Sequence, residues 1–150
     1  MYHRWAALAL VLALCALPTK QAAGQQSTTQ SRERKSAGSL GQNYPNPFNP
    51  TTTIPFKVGV PPSCSDGGRL YHVTLRIYNV LAQLVATPIL QGTSGNAGQP
   101  LENVVLRCGE YTAYWDGMYL RSGREVASGV YLYRIDVDGK MFARKMIVMK

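Results

Sequence analysis

The 150-residue sequence has little of what most catalytic sites are made from. It holds two histidines, three cysteines and eight Asp and Glu against sixteen Lys and Arg, for a net charge of +8. His3 sits at the extreme N-terminus, which leaves His72 alone in the remainder. A single imidazole cannot build a histidine metal cluster, and no Cys-x-x-Cys occurs. There is no Gly-x-Ser-x-Gly turn, no phosphate-binding glycine loop, and no helical apolar period beyond residue 17. Asp136 and Asp138 flank Val137, but two carboxylates fall short of the oxygen set that calcium requires, so a turn explains them better. Asp116, between Trp115 and Gly117, lacks the second acid that glycosidic chemistry needs. It is expected to accept backbone amides in an Asx-type turn. No catalytic residue, cofactor site or metal site is expected.

The excess positive charge is scattered over Lys57, Arg69, Arg76, Arg107, Arg121, Arg124 and Arg134. Nucleic-acid readers interleave aromatics with a basic face, whereas Tyr131 and Tyr133 share period two with Ile135 and Val137 and read as core. Nucleic acid is therefore not the expected partner. No apolar run reaches the roughly 18 residues that span a bilayer, so no membrane span is expected.

What is present begins with a removable leader. His3 and Arg4 precede an unbroken apolar run over residues 6–17, Pro18 follows, and Ala22 and Gly24 supply small residues before a cut at Gln25. This is the layout of a secretory signal peptide over residues 1–24, with a run too short to anchor the chain. Cys15 lies inside that run behind Leu14, which disfavours lipidation. Export leaves Cys64 and Cys108 in an oxidising compartment. The spacing leaves two possibilities open. They form a bridge closing about 45 residues, worth up to roughly 4 kcal/mol, or they remain separate thiols.

Residues 25–41 are polar, with Ala37 and Leu40 their only apolar side chains, and read as a flexible leader. Arg32, Glu33, Arg34 and Lys35 form a solvated basic cluster within it. From residue 42 to the end the texture is that of one domain. Alternating Pro and Asn over residues 43–50 impose an extended lead-in. Seven short strands are expected, at residues 51–58, 72–80, 84–90, 104–107, 111–115, 130–137 and 142–149. Asp138 and Gly139 mark a hairpin between the last two. Strands at this spacing, with turn signals between them, predict an all-β fold: an immunoglobulin-like antiparallel β-sandwich of about seven strands.

Five blocks then carry a family resemblance: QNYPNPFNPTTTIPFKV (42–58), LRIYNVLAQLVATPI (75–89), GEYTAYWDG (109–117), ASGVYLYRIDVDGK (127–140) and ARKMIVMK (143–150). In this order they resemble the C-terminal sorting domain of type IX secretion cargo. They are also similar to the immunoglobulin-like module of flagellar hook-capping proteins. The resemblance implies a sandwich recognised by an outer-membrane translocon, delivered through the periplasm to the bacterial cell surface, and commonly cleaved off there. It places the terminal basic motif on Arg144, Lys145 and Lys150, which are the expected contacts to an acidic receptor. It also marks Gly109 and Tyr111, and Ser128, Gly129, Val130 and Tyr131.

Trp115, Tyr131 and Tyr133 are expected to fill the space between sheets, and Gly129 to permit a tight start to its strand. Two departures stand out. Ala82 occupies a turn position where the family commonly has glycine, at a cost of about 1 kcal/mol if that position needs positive φ. Sorting domains also follow a large cargo domain, whereas here only residues 25–41 separate the signal peptide from the sandwich. The rival expectation is a stand-alone surface adhesion or scaffold module that keeps its sandwich and binds a protein partner.

Overall fold

Alternating apolar and polar side chains over residues 54–58 and 72–78 account for two of the protein's strands. The computed structural model describes residues 37–62, 64–92 and 95–150, which form nine strands and no helix. The expected signal peptide and the basic cluster at residues 32–35 lie outside the described residues. The strands are β1 (Gly38–Leu40), β2 (Thr52–Val58), β3 (Leu70–Tyr78), β4 (Leu84–Ala86), β5 (Ile89–Gln91), β6 (Val104–Arg107), β7 (Gly109–Trp115), β8 (Gly129–Val137) and β9 (Lys140–Val148). They make two antiparallel sheets that pack as a sandwich. One runs β1-β2-β7-β5; the other runs β4-β3-β8-β9, with β6 on the same side of β3 as β4.

The inner faces follow the sequence pattern. Ile54, Phe56 and Val58 of β2, Val73, Leu75 and Ile77 of β3, and Tyr131, Tyr133, Ile135 and Val137 of β8 are buried. Across the β3–β8 ladder, Val73 lies opposite Val137, Leu75 opposite Ile135 and Ile77 opposite Tyr133. Asp138 and Gly139 have φ of +50° and +79°, as a two-residue I′ hairpin turn requires.

Two differences raise the strand count from seven to nine. Residues 84–90 read as one strand, but Pro88 has no amide hydrogen to continue a ladder. The chain breaks there and changes sheets: β4 pairs with β3, and β5 pairs with β7. The second difference corrects the leader, read as ending at residue 41. Gly38–Leu40 pairs with β2, and Ala37 and Leu40 are buried. Docking on an existing sheet orders a segment too poor in apolar residues to order itself. A further sheet change falls at Cys108, between β6 and β7. Leu101, fully buried, fills the β3 edge between β4 and β6, where the Leu75 amide donates to its carbonyl at 2.8 Å.

Residues 42–50 close one side of the sandwich by touching both sheets. Tyr44 bridges to Thr53 of β2, while Phe48 runs parallel to Val148 of β9. The Phe48 amide donates to the Ile147 carbonyl and its own carbonyl accepts from the Met149 amide, both at 3.0 Å. The Phe48 ring is buried edge-on to Trp115, with centroids 5.5 Å apart. Behind this segment lies the Tyr133 hydroxyl. It donates to the Gly41 carbonyl at 2.8 Å and accepts from the Asn43 amide at 3.0 Å. Burial raises its pKa above the usual tyrosine range, although the bond to Asn43 pulls the other way.

Removing that oxygen strands two backbone groups away from water. Tyr133→Phe is therefore expected to cost about 1–3 kcal/mol and to lower the melting temperature by roughly 4 °C per kcal/mol. An unchanged thermal melt would mean that the hydroxyl does not hold the lead-in. The β3–β4 turn supports a prediction of opposite sign. Asn79 Oδ1 accepts from the Leu81 amide at 3.0 Å and the Gln83 amide at 2.9 Å, and Ala82 is held at φ +58°. Ala82→Gly is expected to gain about 0.5–1 kcal/mol, because glycine adopts this conformation without the steric cost of a Cβ. Urea denaturation checks it: the midpoint should rise at constant m-value.

Candidate functional site

The Trp-Asp-Gly block forms the corner where β7 ends. Trp115 is buried between sheets, its ring edge-on to Phe48 and to Tyr131 at 5.5 and 6.0 Å, and its Nε1 donates to the Met118 carbonyl at 3.1 Å. Asp116 Oδ1 accepts from the Met118 amide at 2.9 Å, the Asx turn expected of it. Gly117 has φ +75°, and a Cβ there would collide with the Pro50 carbonyl of the lead-in. The residue types therefore serve a turn that lets the lead-in pass close by. Tyr131 and Tyr133 are buried as expected, and Tyr131 also donates to the Ala127 carbonyl at 2.9 Å. Gly129 opens β8 with φ +154°. Tyr111 lies at the margin of the core, half-buried, stacked on Phe56 at 5.6 Å and donating to the Arg107 carbonyl at 3.0 Å. Burial raises its pKa.

The three terminal basic residues do not converge. Arg144 and Lys145 are neighbours on β9, so the two-residue period sends them to opposite faces. Arg144 reaches toward the first sheet, where its Nε donates to the Leu40 carbonyl at 2.6 Å. Lys145 stands on the outer face, opposite Leu132. Lys150 lies beyond the strand, its Nζ 2.7 Å from Glu125 and its amide donating to Ser128 Oγ at 3.0 Å. Of the three, Lys145 presents a side chain with no carboxylate or hydrogen-bond acceptor among the described residues.

Beside Arg144 is an open groove of about 640 Å³, lined by Leu40, Phe56, Tyr111, Arg144, Lys57 and Glu110 among others. Lys57 and Glu110, opposed on β2 and β7, pair at 2.6 Å, so Arg144 is its cation without a carboxylate partner among the described residues. The two hairpin acids are spent locally. Asp136 accepts from the Gly139 amide at 2.7 Å; Asp138 accepts from the His72 amide at 2.9 Å and pairs with Arg69 at 3.1 Å. Burial pushes the Asp138 carboxyl up, but the His72 amide and Arg69 more than offset it, and it titrates below its usual range. Among the described residues no three His, Cys, Asp or Glu side chains gather in a metal-binding group.

Sequence reasoning missed Phe48 and Asn43 as interior residues. The signal for Phe48 was present: a lone large ring between prolines in a polar stretch.

Cys64 and Cys108 are bridged, with Cα atoms 5.7 Å apart. Cys108 stands where the chain changes sheets, and the bridge ties the loop after β2 to that crossing. Gly59 allows the approach: its φ is +70°, and a Cβ there would lie 2.7 Å from Cys108 Sγ. Cys64→Ser/Cys108→Ser is expected to cost roughly 2–4 kcal/mol by releasing the closed loop in the unfolded chain. A denaturation midpoint equal to that of the unaltered protein would show that the bridge adds no stability. No family model, curated protein or solved structure matches this chain.

Proposed function

We propose that this protein is a secreted, non-enzymatic sandwich recognised by the outer-membrane export machinery of a type IX secretion system and delivered to the bacterial cell surface. The observation that carries the reading is the sandwich itself, because all five blocks of the family resemblance are built into its framework. The lead-in closes one side, the Asn79 turn caps β3, the Trp-Asp-Gly corner ends β7, and the last two blocks form the β8–β9 hairpin. Recognition is by docking of one sandwich face together with the terminal strand. Lys145 is positioned for this, since its ammonium stands clear of carboxylates and can meet an acidic receptor. Arg144 supports the same strand from the other face by holding β1 beside it.

The test is expression of the full chain in a bacterium that carries type IX machinery, and in the same strain with the translocon deleted. Surface exposure is read by protease shaving of whole cells, and the product by intact mass. Exposure only in the translocon-bearing strain is expected. Periplasmic retention in both strains would sink the reading. A surface product of intact residues 25–150 in both would favour the stand-alone adhesion or scaffold module.

A further inference from the structure

Antiparallel sandwiches usually bury one face of each sheet and wet the other. β8 departs from that rule. Its inward residues form the core, yet its first two outward positions past Gly129 are Val130 and Leu132, 45% and 43% exposed. Cross-strand register extends the apolar set across the sheet. Leu132 lies opposite Tyr78 of β3 and Lys145 of β9, and Tyr78 lies opposite Leu84 of β4. One row away, Val130 lies opposite Ile147. Residues directly opposed in an antiparallel ladder share a face. Leu84, Tyr78, Leu132, Val130 and Ile147 thus make one outward patch over four strands, with Leu84 and Ile147 each 38% exposed.

The rim of this patch is cationic. Arg134 lies over the Tyr78 ring at 5.1 Å and donates to its hydroxyl at 3.0 Å, contacts that leave its charge in place. Lys145 flanks Leu132. Neither cation has a carboxylate partner among the described residues. Arg76, in the row of Arg134, is matched by Glu102 at 3.0 Å, and Asp136 in the next row is held by the Gly139 amide. The rows that form the patch and carry its cations, Leu84-Tyr78-Leu132-Lys145, Val130-Ile147 and Arg76-Arg134-Ala143, contain no acid, so a second copy centred on Leu132 by a two-fold axis would bring cations and alkyl side chains toward Arg134 and Lys145. Charge complementarity calls for acids on the other side.

We infer that the outer face of the five-stranded sheet, centred on Leu132 and edged by Arg134 and Lys145, binds a protein partner that presents a flat apolar surface rimmed with carboxylates. This deepens the recognition reading and rests on it, naming the face that docks.

The experiment compares surface delivery of the full chain with that of Leu132→Asp and Lys145→Glu in the translocon-bearing strain. Gln91→Glu, on the other sheet, is the control. Both test sites face solvent, so thermal melts of the purified variants should match the unaltered protein. Delivery is expected to fall about tenfold or more for Leu132→Asp, which places a charge at the centre of the contact. Lys145→Glu should also reduce it, and Gln91→Glu should not. Normal delivery of folded Leu132→Asp overturns the docking face while leaving the export reading intact. Failure of the unaltered chain to reach the surface removes that reading and the docking face with it. Two further results on purified protein overturn the acidic protein partner: a dimer in sedimentation that Leu132→Asp dissociates, or binding to phosphatidylglycerol vesicles that the same variant abolishes.

Discussion

The architecture turns on one buried hydroxyl. Tyr133 belongs to the inner face of the five-stranded sheet, yet its oxygen bonds the carbonyl of Gly41 and the amide of Asn43, which follow β1 of the other sheet. These bonds hold the start of the lead-in where Tyr44 can pair with β2 and Phe48 with β9. Without that segment, Trp115 would lose an aromatic neighbour and β9 would present a bare edge. Asn43 is buried as well, its side chain donating to Thr52 Oγ1 at 2.9 Å and to the Pro45 carbonyl at 3.1 Å. Among the described residues no buried side-chain polar atom lacks a partner, which lets so polar a segment sit against an apolar core.

Crossings between sheets decide which surfaces are available. The chain crosses at Thr87 and Pro88, where a proline cannot continue a ladder, and again at Cys108, where a disulfide fastens the turn. Each crossing gives its sheet a short strand, so β3 carries both β4 and β6 along one edge. The opposite edge belongs to β8 and β9, and this hairpin supplies much of the outward apolar patch. Stabilising hydroxyl, lead-in and proposed docking face thus meet on one hairpin. Tyr133 points inward and its neighbour Leu132 points outward.

The same alternation governs the basic residues at the chain end. Read as a motif, Arg144, Lys145 and Lys150 form one positive cluster. On an extended strand, adjacent side chains diverge, so Arg144 holds β1 while Lys145 meets solvent, and Lys150 is drawn to Glu125. The outward patch was legible in principle, because Val130, Tyr131, Leu132 and Tyr133 leave neither face of β8 polar at that point. A continuous apolar run does not say which side is core and which awaits a partner.

By itself the sequence determined the features that depend on neighbours in the chain. Period two marked the inner residues of β2, β3 and β8; Asp138 and Gly139 specified their turn; and Asp116 was committed to its own backbone. These are local because a strand's faces and a turn's dihedrals are set within a few residues. The tertiary structure alone decided what depends on pairing over distance. It assigned β4 and β5 to different sheets, drew Ala37 and Leu40 into the core, brought Cys64 to Cys108, and separated Arg144 from Lys145 by a sheet's thickness. Such choices are absent from any short window of sequence, because the free energy that makes them comes from surfaces that do not exist until both sheets have formed.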